Sequence, residues 1–104
     1  MRAAKVDNTH REIVRALVQI GCSVFGTATV GRGVPDLVAS RGGFTALIEC
    51  KTGRGKLNAA QERFHAEWQG VVIVARSGEE AVRLFEQAVE HHVEKSEGRS
   101  KVCK

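Results

Sequence analysis

Apolar and polar positions along this chain change period several times, and each change predicts an element. Between residues 7 and 20, Ile13, Val14, Leu17 and Ile20 recur at the three- and four-residue spacing that gathers side chains on one helical face. Asp7 or Asn8 is placed to cap the start of this helix, and Gly21 to end it. Val24 to Thr29 is short and β-branched, which predicts a first strand. Gly31 and Gly33 flank Arg32 in a loop, and Asp36 to Ser40 is expected to be the second strand. Arg41-Gly42-Gly43 has the chemistry of a tight turn into a third strand, Phe44 to Lys51. A basic, glycine-containing loop over 52–56 leads to a helix from about Asn58 to Trp68. The unbroken apolar run Val71 to Ala75 predicts a strand buried on both faces. Ser77 then caps a third helix, with Glu80 as its capping-box partner and Ala81, Val82, Leu84, Phe85, Ala88 and Val89 as its stripe.

The predicted order is αβββαβα. The strand, helix, strand passage from Phe44 to Ala75 is expected to make a right-handed crossover with two parallel strands. A mixed α/β sheet of about four strands flanked by helices follows from layer packing. The domain is expected to span residues 1–92, and residues 93–104, polar and basic, to form a frayed tail.

Composition narrows the class. The 104 residues suffice for one domain with one modest core, and 42% hydrophobic content favours folding over disorder. Sixteen Lys and Arg against twelve Asp and Glu give a net charge of +4, which permits a polyanionic partner. Four Phe, one Trp and no Tyr argue against an aromatic platform for single-stranded bases. Cys22, Cys50 and Cys103 form no CxxC pair and leave an odd count, which argues against a disulfide framework or zinc site and for a reducing cytosol. No apolar run approaches the ~20 residues of a membrane helix, and the N-terminal residues lack the order of a signal peptide. The expected location is the cytoplasm of a bacterial or phage-infected cell.

Three residues carry the chemistry. Asp36 opens one apolar strand, and Glu49 and Lys51 close the next. Strand side chains alternate, so Glu49 and Lys51 share a face while Cys50 points away as a small hydrophobe. Glu49 follows Ala46-Leu47-Ile48 without a turn, where a charge is expensive unless it is liganded. Two carboxylates with an ammonium beside them suit a hard divalent cation such as Mg²⁺, which keeps waters and leaves room for phosphate. That combination points to metal-dependent phosphodiester hydrolysis. Taken singly, Pro35-Asp36 would be turn chemistry and Glu49 and Lys51 a solvated strand end. The pairing across a hairpin favours the site.

Pro35-Asp36 and Glu49-Cys50-Lys51 resemble the PD-(D/E)XK nuclease signature, thirteen residues separating the two acids. Gly31 to Asp36, Glu49 to Thr52, Lys56 to Gln61 and Gly70 to Val74 are together similar to the VRR-NUC branch, in a small stand-alone, phage-type form, over roughly residues 7 to 85. The resemblance implies a restriction-endonuclease-like core and an Mg²⁺- or Mn²⁺-dependent endonuclease acting on DNA. It implies a preference for branched or four-way junction DNA, and a symmetric substrate cut twice calls for a homodimer. Asp36 and Glu49 would bind the metal, with the Cys50 backbone carbonyl and waters completing the shell, and Lys51 would stabilise charge. Gln61, by spacing alone an exposed helix residue, becomes an active-site glutamine. Arg32, Arg54 and Lys56 would contact flanking phosphates; solvation is the competing reading for the last two.

The first helix departs from the family pattern. His10 stands where many members have glutamate. Asp7, His10 and Val14 line one side of that helix, so His10, then Asp7, is preferred as its contribution, and Glu12 is expected to face solvent or neighbouring charge. A missing carboxylate favours a one-metal site. His65 and Trp68 are expected to pack on the sheet; Arg76 and the basic tail are candidates to extend a nucleic-acid surface, with plain solvation the competing reading. Two other readings remain: a non-catalytic nucleic-acid-binding module with the nuclease fold, and a partner-dependent phage DNA-processing subunit.

Overall fold

A computed structural model describes residues 2–102, with side-chain surroundings described for residues 7–95. Apolar periodicity sets the layers. In helix α1 (Arg2–Gln19), Ile13 and Leu17 are one turn apart and fully buried. In α3 (Gly78–Val102), Ala81 and Phe85 repeat that spacing and are fully buried as well. Both helices lie on one face of a four-stranded sheet, against Leu37, Ala39, Phe44, Ala46, Ile48, Ile73 and Ala75. The small residues permit close approach. A Cβ on Gly78 would stand 2.9 Å from that of Ala16, so glycine sets the α1–α3 distance.

The sheet order is β1-β2-β3-β4, with β1 Ser23–Gly26, β2 Leu37–Arg41, β3 Phe44–Cys50 and β4 Val71–Ala75. β2 and β3 form a hairpin in which Arg41 faces Phe44 across Gly42 and Gly43. Their φ values of 60° and 82° are the paired left-handed conformations of a type I′ turn, which matches strand twist and which glycine adopts without strain. β4 pairs parallel to β3 after helix α2 (Ala59–Glu67), as the crossover reading expects.

Several boundaries differ from the sequence reading. α1 begins at Arg2, so Asp7 and Asn8 lie inside the helix and cannot cap it. β1 stops at Gly26, short of Thr29. Thr27 turns aside there, its N–H donating to the Asp36 carbonyl (2.7 Å) and its hydroxyl to that of Pro35 (2.7 Å), and a 3-10 turn follows over Ala28–Val30. β4 is an edge strand with Val71, Val72 and Val74 only half-buried, so its apolar run does not mean burial on both faces. The cap of α3 is also rearranged. The Glu80 N–H donates to Ser77 Oγ as expected, but the Glu80 carboxylate accepts from the N–H of Arg76, one residue before the cap. α3 continues through the basic stretch after Val93 as far as Val102, consistent with the helix propensity of Glu, Lys and Arg. Cys22 and Cys50 are free thiols, and Cys103 lies outside the described residues.

Candidate active site

The hydrogen-bonded register puts the acids on the sheet face opposite α1 and α3. Leu37 faces Ile48 on the core side, so Asp36, one residue earlier, and Glu49, one later, fall together on the other side. Asp36 is held in place: its Oδ2 accepts the Cys50 N–H at 2.8 Å, while its own carbonyl takes the Thr27 N–H. Glu49 is buried, 1% exposed, and is the buried charged residue of the described chain.

Helix α2 completes the arrangement through Gln61. Asn58 caps the helix, its Oδ1 accepting the Gln61 N–H at 2.9 Å, while Gln61 Oε1 accepts the Asn58 N–H at 2.9 Å. This reciprocal capping box fixes the glutamine side chain over the sheet. The same Oε1 accepts from Lys51 Nζ (2.9 Å), and Nε2 donates to Glu49 Oε2 (3.2 Å). The chemistry determines the amide orientation: the Lys51 ammonium and the Asn58 backbone N–H only donate, so the oxygen must face them. Gly33 lets the loop meet this helix. A Cβ there would collide with the Ala60 carbonyl and stand 2.9 Å from the Gln61 nitrogen. Gly31, Arg32 and Gly33 have φ of 76°, 58° and 80°, three left-handed residues in succession just before Pro35-Asp36.

A cleft of about 360 Å³ is lined by His10, Asp36, Glu49, Cys50, Lys51, Thr52, Gly55 and Gln61. His10 is thus the side chain that α1 contributes. Asp7 is exposed and does not line the cleft. Glu12 is exposed and outside the cleft, as expected, and in addition its Oε2 accepts the Gly78 N–H at 2.8 Å, which ties α1 to the N-terminus of α3. Arg32, Arg54 and Lys56 are exposed and outside the cleft wall. Arg76 is exposed, but its guanidinium is tied to the loop before α2. It donates to the carbonyls of Gly53 (3.0 Å) and Gly55 (2.7 Å). Trp68 stacks on Phe64 (centroids 5.3 Å apart) but remains 45% exposed. His65 Nε2 is buried without a partner, and burial, with Lys51 nearby, lowers the imidazole's pKa.

Electrostatics tests whether a cation fits. Burial and the Asp36 carboxylate beside it push the Glu49 carboxyl up to about 8, against the opposing pull of Lys51. The same burial, with both acids near, pushes the Cys50 thiol up to about 12, which leaves it an inert thiol. Glu49 Oε1 is buried without a hydrogen-bond partner, a deficit of roughly 1–3 kcal/mol. A divalent cation between Asp36 and Glu49 would supply both the missing partner and the missing positive charge, so these residues fit one. Among the described residues no three His, Cys, Asp or Glu side chains converge as ligands. The two carboxylates would therefore be joined by water and backbone oxygen, a shell suited to a hard cation.

Residues 1–62 match the family of archaeal Holliday junction resolvases (Hjc). The chain belongs to this family. No curated protein and no solved structure matches it. Hjc is a PD-(D/E)XK-like family of structure-selective nucleases that generally use divalent metal ions. The mixed four-stranded sheet flanked by helices is accordingly the restriction-endonuclease-like fold. The matched segment contains Asp36, Glu49, Lys51 and Gln61 and ends within α2. Arg76 lies beyond it. Sequence reasoning missed Arg76 as a structural donor and Asn58 as the residue that sets Gln61. The Asn-x-x-Gln spacing of a capping box was the available signal for Asn58. None was available for Arg76, whose acceptors are backbone carbonyls 21 and 23 residues away.

Proposed function

We propose that this Hjc-family chain is a metal-dependent endonuclease of VRR-NUC type that hydrolyses DNA phosphodiester bonds at four-way junctions, with Mg²⁺ or Mn²⁺ as cofactor. The observation that carries the reading is the convergence of Asp36, Glu49, Lys51 and Gln61 in one cleft, with Gln61 bridging the ammonium and the buried carboxylate. Asp36 and Glu49 would hold the cation, with the Cys50 backbone carbonyl as a further oxygen donor. When bound, the cation supplies Lewis acidity toward the phosphate and lowers the pKa of water.

The remaining steps belong to the protein. Lys51, held toward the cleft by Gln61, neutralises charge that grows on the phosphate during attack. Gln61 fixes the Lys51–Glu49 separation, and its amide is positioned to orient water or phosphate. His10 borders the same cleft from α1. Arg32, Arg54 and Lys56 pair with flanking phosphates outside it. One cleft makes one cut, and a symmetric junction needs two, so the acting species is a homodimer. Phe25, 71% exposed, shares the Glu49 face of the sheet and supplies apolar surface there for a second copy. No described helix is long and apolar enough to cross a membrane, in keeping with a cytoplasmic site of action.

The test is cleavage of labelled four-way junction, flap and plain duplex DNA with EDTA, Mg²⁺ or Mn²⁺. Cation-dependent cutting confined largely to the junction is expected. Binding to all three without cutting would replace this reading with that of a non-catalytic module.

A further inference from the structure

The loop between β3 and α2 is held from behind. Its residues Thr52 to Lys56 close a β-turn in which the Gly55 N–H donates to the Thr52 carbonyl at 3.0 Å, with Gly53 at φ 56°. Thr52 and Gly55 line the cleft, while Arg54 and Lys56 are exposed. Arg76, just after β4, reaches across to this turn with one nitrogen, Nη1, 3.0 Å from the Gly53 carbonyl and 2.7 Å from that of Gly55. Its own backbone is fixed by the cap of α3, because Glu80 Oε1 accepts the Arg76 N–H at 2.7 Å. A chain of bonds thus runs from the first turn of α3 through Arg76 to the rim of the cleft.

The planarity of the peptide group gives this chain a consequence. In a trans peptide the C=O and the following N–H point in opposite directions. Drawing the Gly53 and Gly55 carbonyls toward Arg76 therefore turns the N–H groups of Arg54 and Lys56 to the opposite side. Neither has an acceptor among the described residues. Arg76 withdraws the electronegative oxygens of the loop and leaves two backbone donors turned away from it, in a loop whose basic side chains, Arg54 and Lys56, are exposed. That is the arrangement a phosphate requires.

We propose that Arg76 is a positioning residue that holds the Thr52–Lys56 loop in the shape that grips a DNA phosphate flanking the scissile bond, the phosphate meeting the N–H groups of Arg54 and Lys56. This rests on the nuclease reading above. Arg76 itself touches no substrate. Losing it loosens the grip without disturbing Asp36, Glu49, Lys51 or Gln61.

The experiment compares wild type, Arg76→Ala, Arg76→Lys and Arg83→Ala. Arg83 is an exposed arginine on α3 whose ion pair uses Glu80 Oε2 (3.7 Å) and not the Oε1 that holds the Arg76 N–H, so its removal deletes the same charge and leaves the Arg76 bonds in place. Junction affinity without divalent cation, single-turnover cleavage at saturating protein, melting temperature and tryptic nicking after Arg54 and Lys56 are measured on each. Loss of a positioned phosphate contact in Arg76→Ala is expected to weaken junction binding about tenfold. Its saturating cleavage rate should stay within about twofold of wild type, because the metal ligands are untouched. Tryptic nicking should accelerate, Arg76→Lys should fall between, and Arg83→Ala should match wild type. Wild-type affinity and nicking in Arg76→Ala would overturn the proposal, as would equal weakening by Arg83→Ala, which would make charge alone the cause. An unstable Arg76→Ala protein leaves Arg76→Lys to decide, by the same affinity and nicking. If wild type binds but never cuts, the nuclease reading falls, while the binding and nicking arms still judge the loop.

Discussion

Glu49 combines full burial, an unpartnered oxygen and a second carboxylate beside it, so without a cation it keeps its proton to about pH 8. The ordinary value is 4.5, and the unfolded chain therefore loses this proton over a range in which the folded chain retains it. Folded-state stabilisation is then fully present below about 4.5 and declines as pH rises toward about 8. Thermal melts in EDTA should show a falling melting temperature across that window, and Glu49→Gln should flatten the slope. Added Mn²⁺ should raise the melting temperature most at the alkaline end and release close to one proton on binding near neutrality. A flat wild-type profile would mean that Glu49 is ionised without metal. Gln61 makes a separate prediction. Gln61→Ala removes half of a capping box and the Lys51–Glu49 bridge together, costing about 1 kcal/mol of stability. Its loss of cleavage rate should be far larger than that, tenfold or more. Equal small effects on both would reduce Gln61 to a cap. Asp36, Glu49 and Lys51 were legible in the sequence because alternation along a strand is a strong rule. Gln61 was legible only through family resemblance, since ten residues of loop and helix separate it from Lys51.

At the level of elements, α2 is the loosest part of the site. None of its residues is buried, so its position depends on its cap, on Gln61 and on the glycine against which it rests. Gly33→Ala would add a Cβ where the Ala60 carbonyl lies, and would do so at φ 80°. It should lower stability by about 1–3 kcal/mol and displace Gln61, so cleavage falls more than melting temperature predicts. A fully active, stable Gly33→Ala protein would show that α2 is not set by this contact. The element order was readable because period-2 and period-3.6 stretches alternate cleanly from Ile13 to Val89. Their ends were less so. Thr27 leaves β1 for bonds to Pro35 and Asp36, a tertiary choice that β-propensity does not report. Glu12 caps an element 66 residues away, which no local pattern shows.

In the whole molecule, one sheet separates two tasks. α1 and α3 bury one face as the core, and the opposite face carries Asp36, Glu49 and Lys51 with the basic residues at its rim. Such a division predicts strong salt dependence of junction binding, the affinity falling about linearly in log–log form with ionic strength. Lys56→Ala should reduce that slope by about one without changing substrate preference. An unchanged slope would place Lys56 outside the interface. The central claim is that this one cleft performs the cleavage. Its most direct test is four-way junction cleavage in Mn²⁺ by wild type, Asp36→Ala and Lys51→Ala, with junction binding measured on the same proteins. The account predicts that wild type cuts and that both variants bind the junction yet lose at least about a hundredfold in rate, as removal of metal ligation or charge stabilisation should produce. Wild-type rates in either variant would place the chemistry somewhere else in the protein.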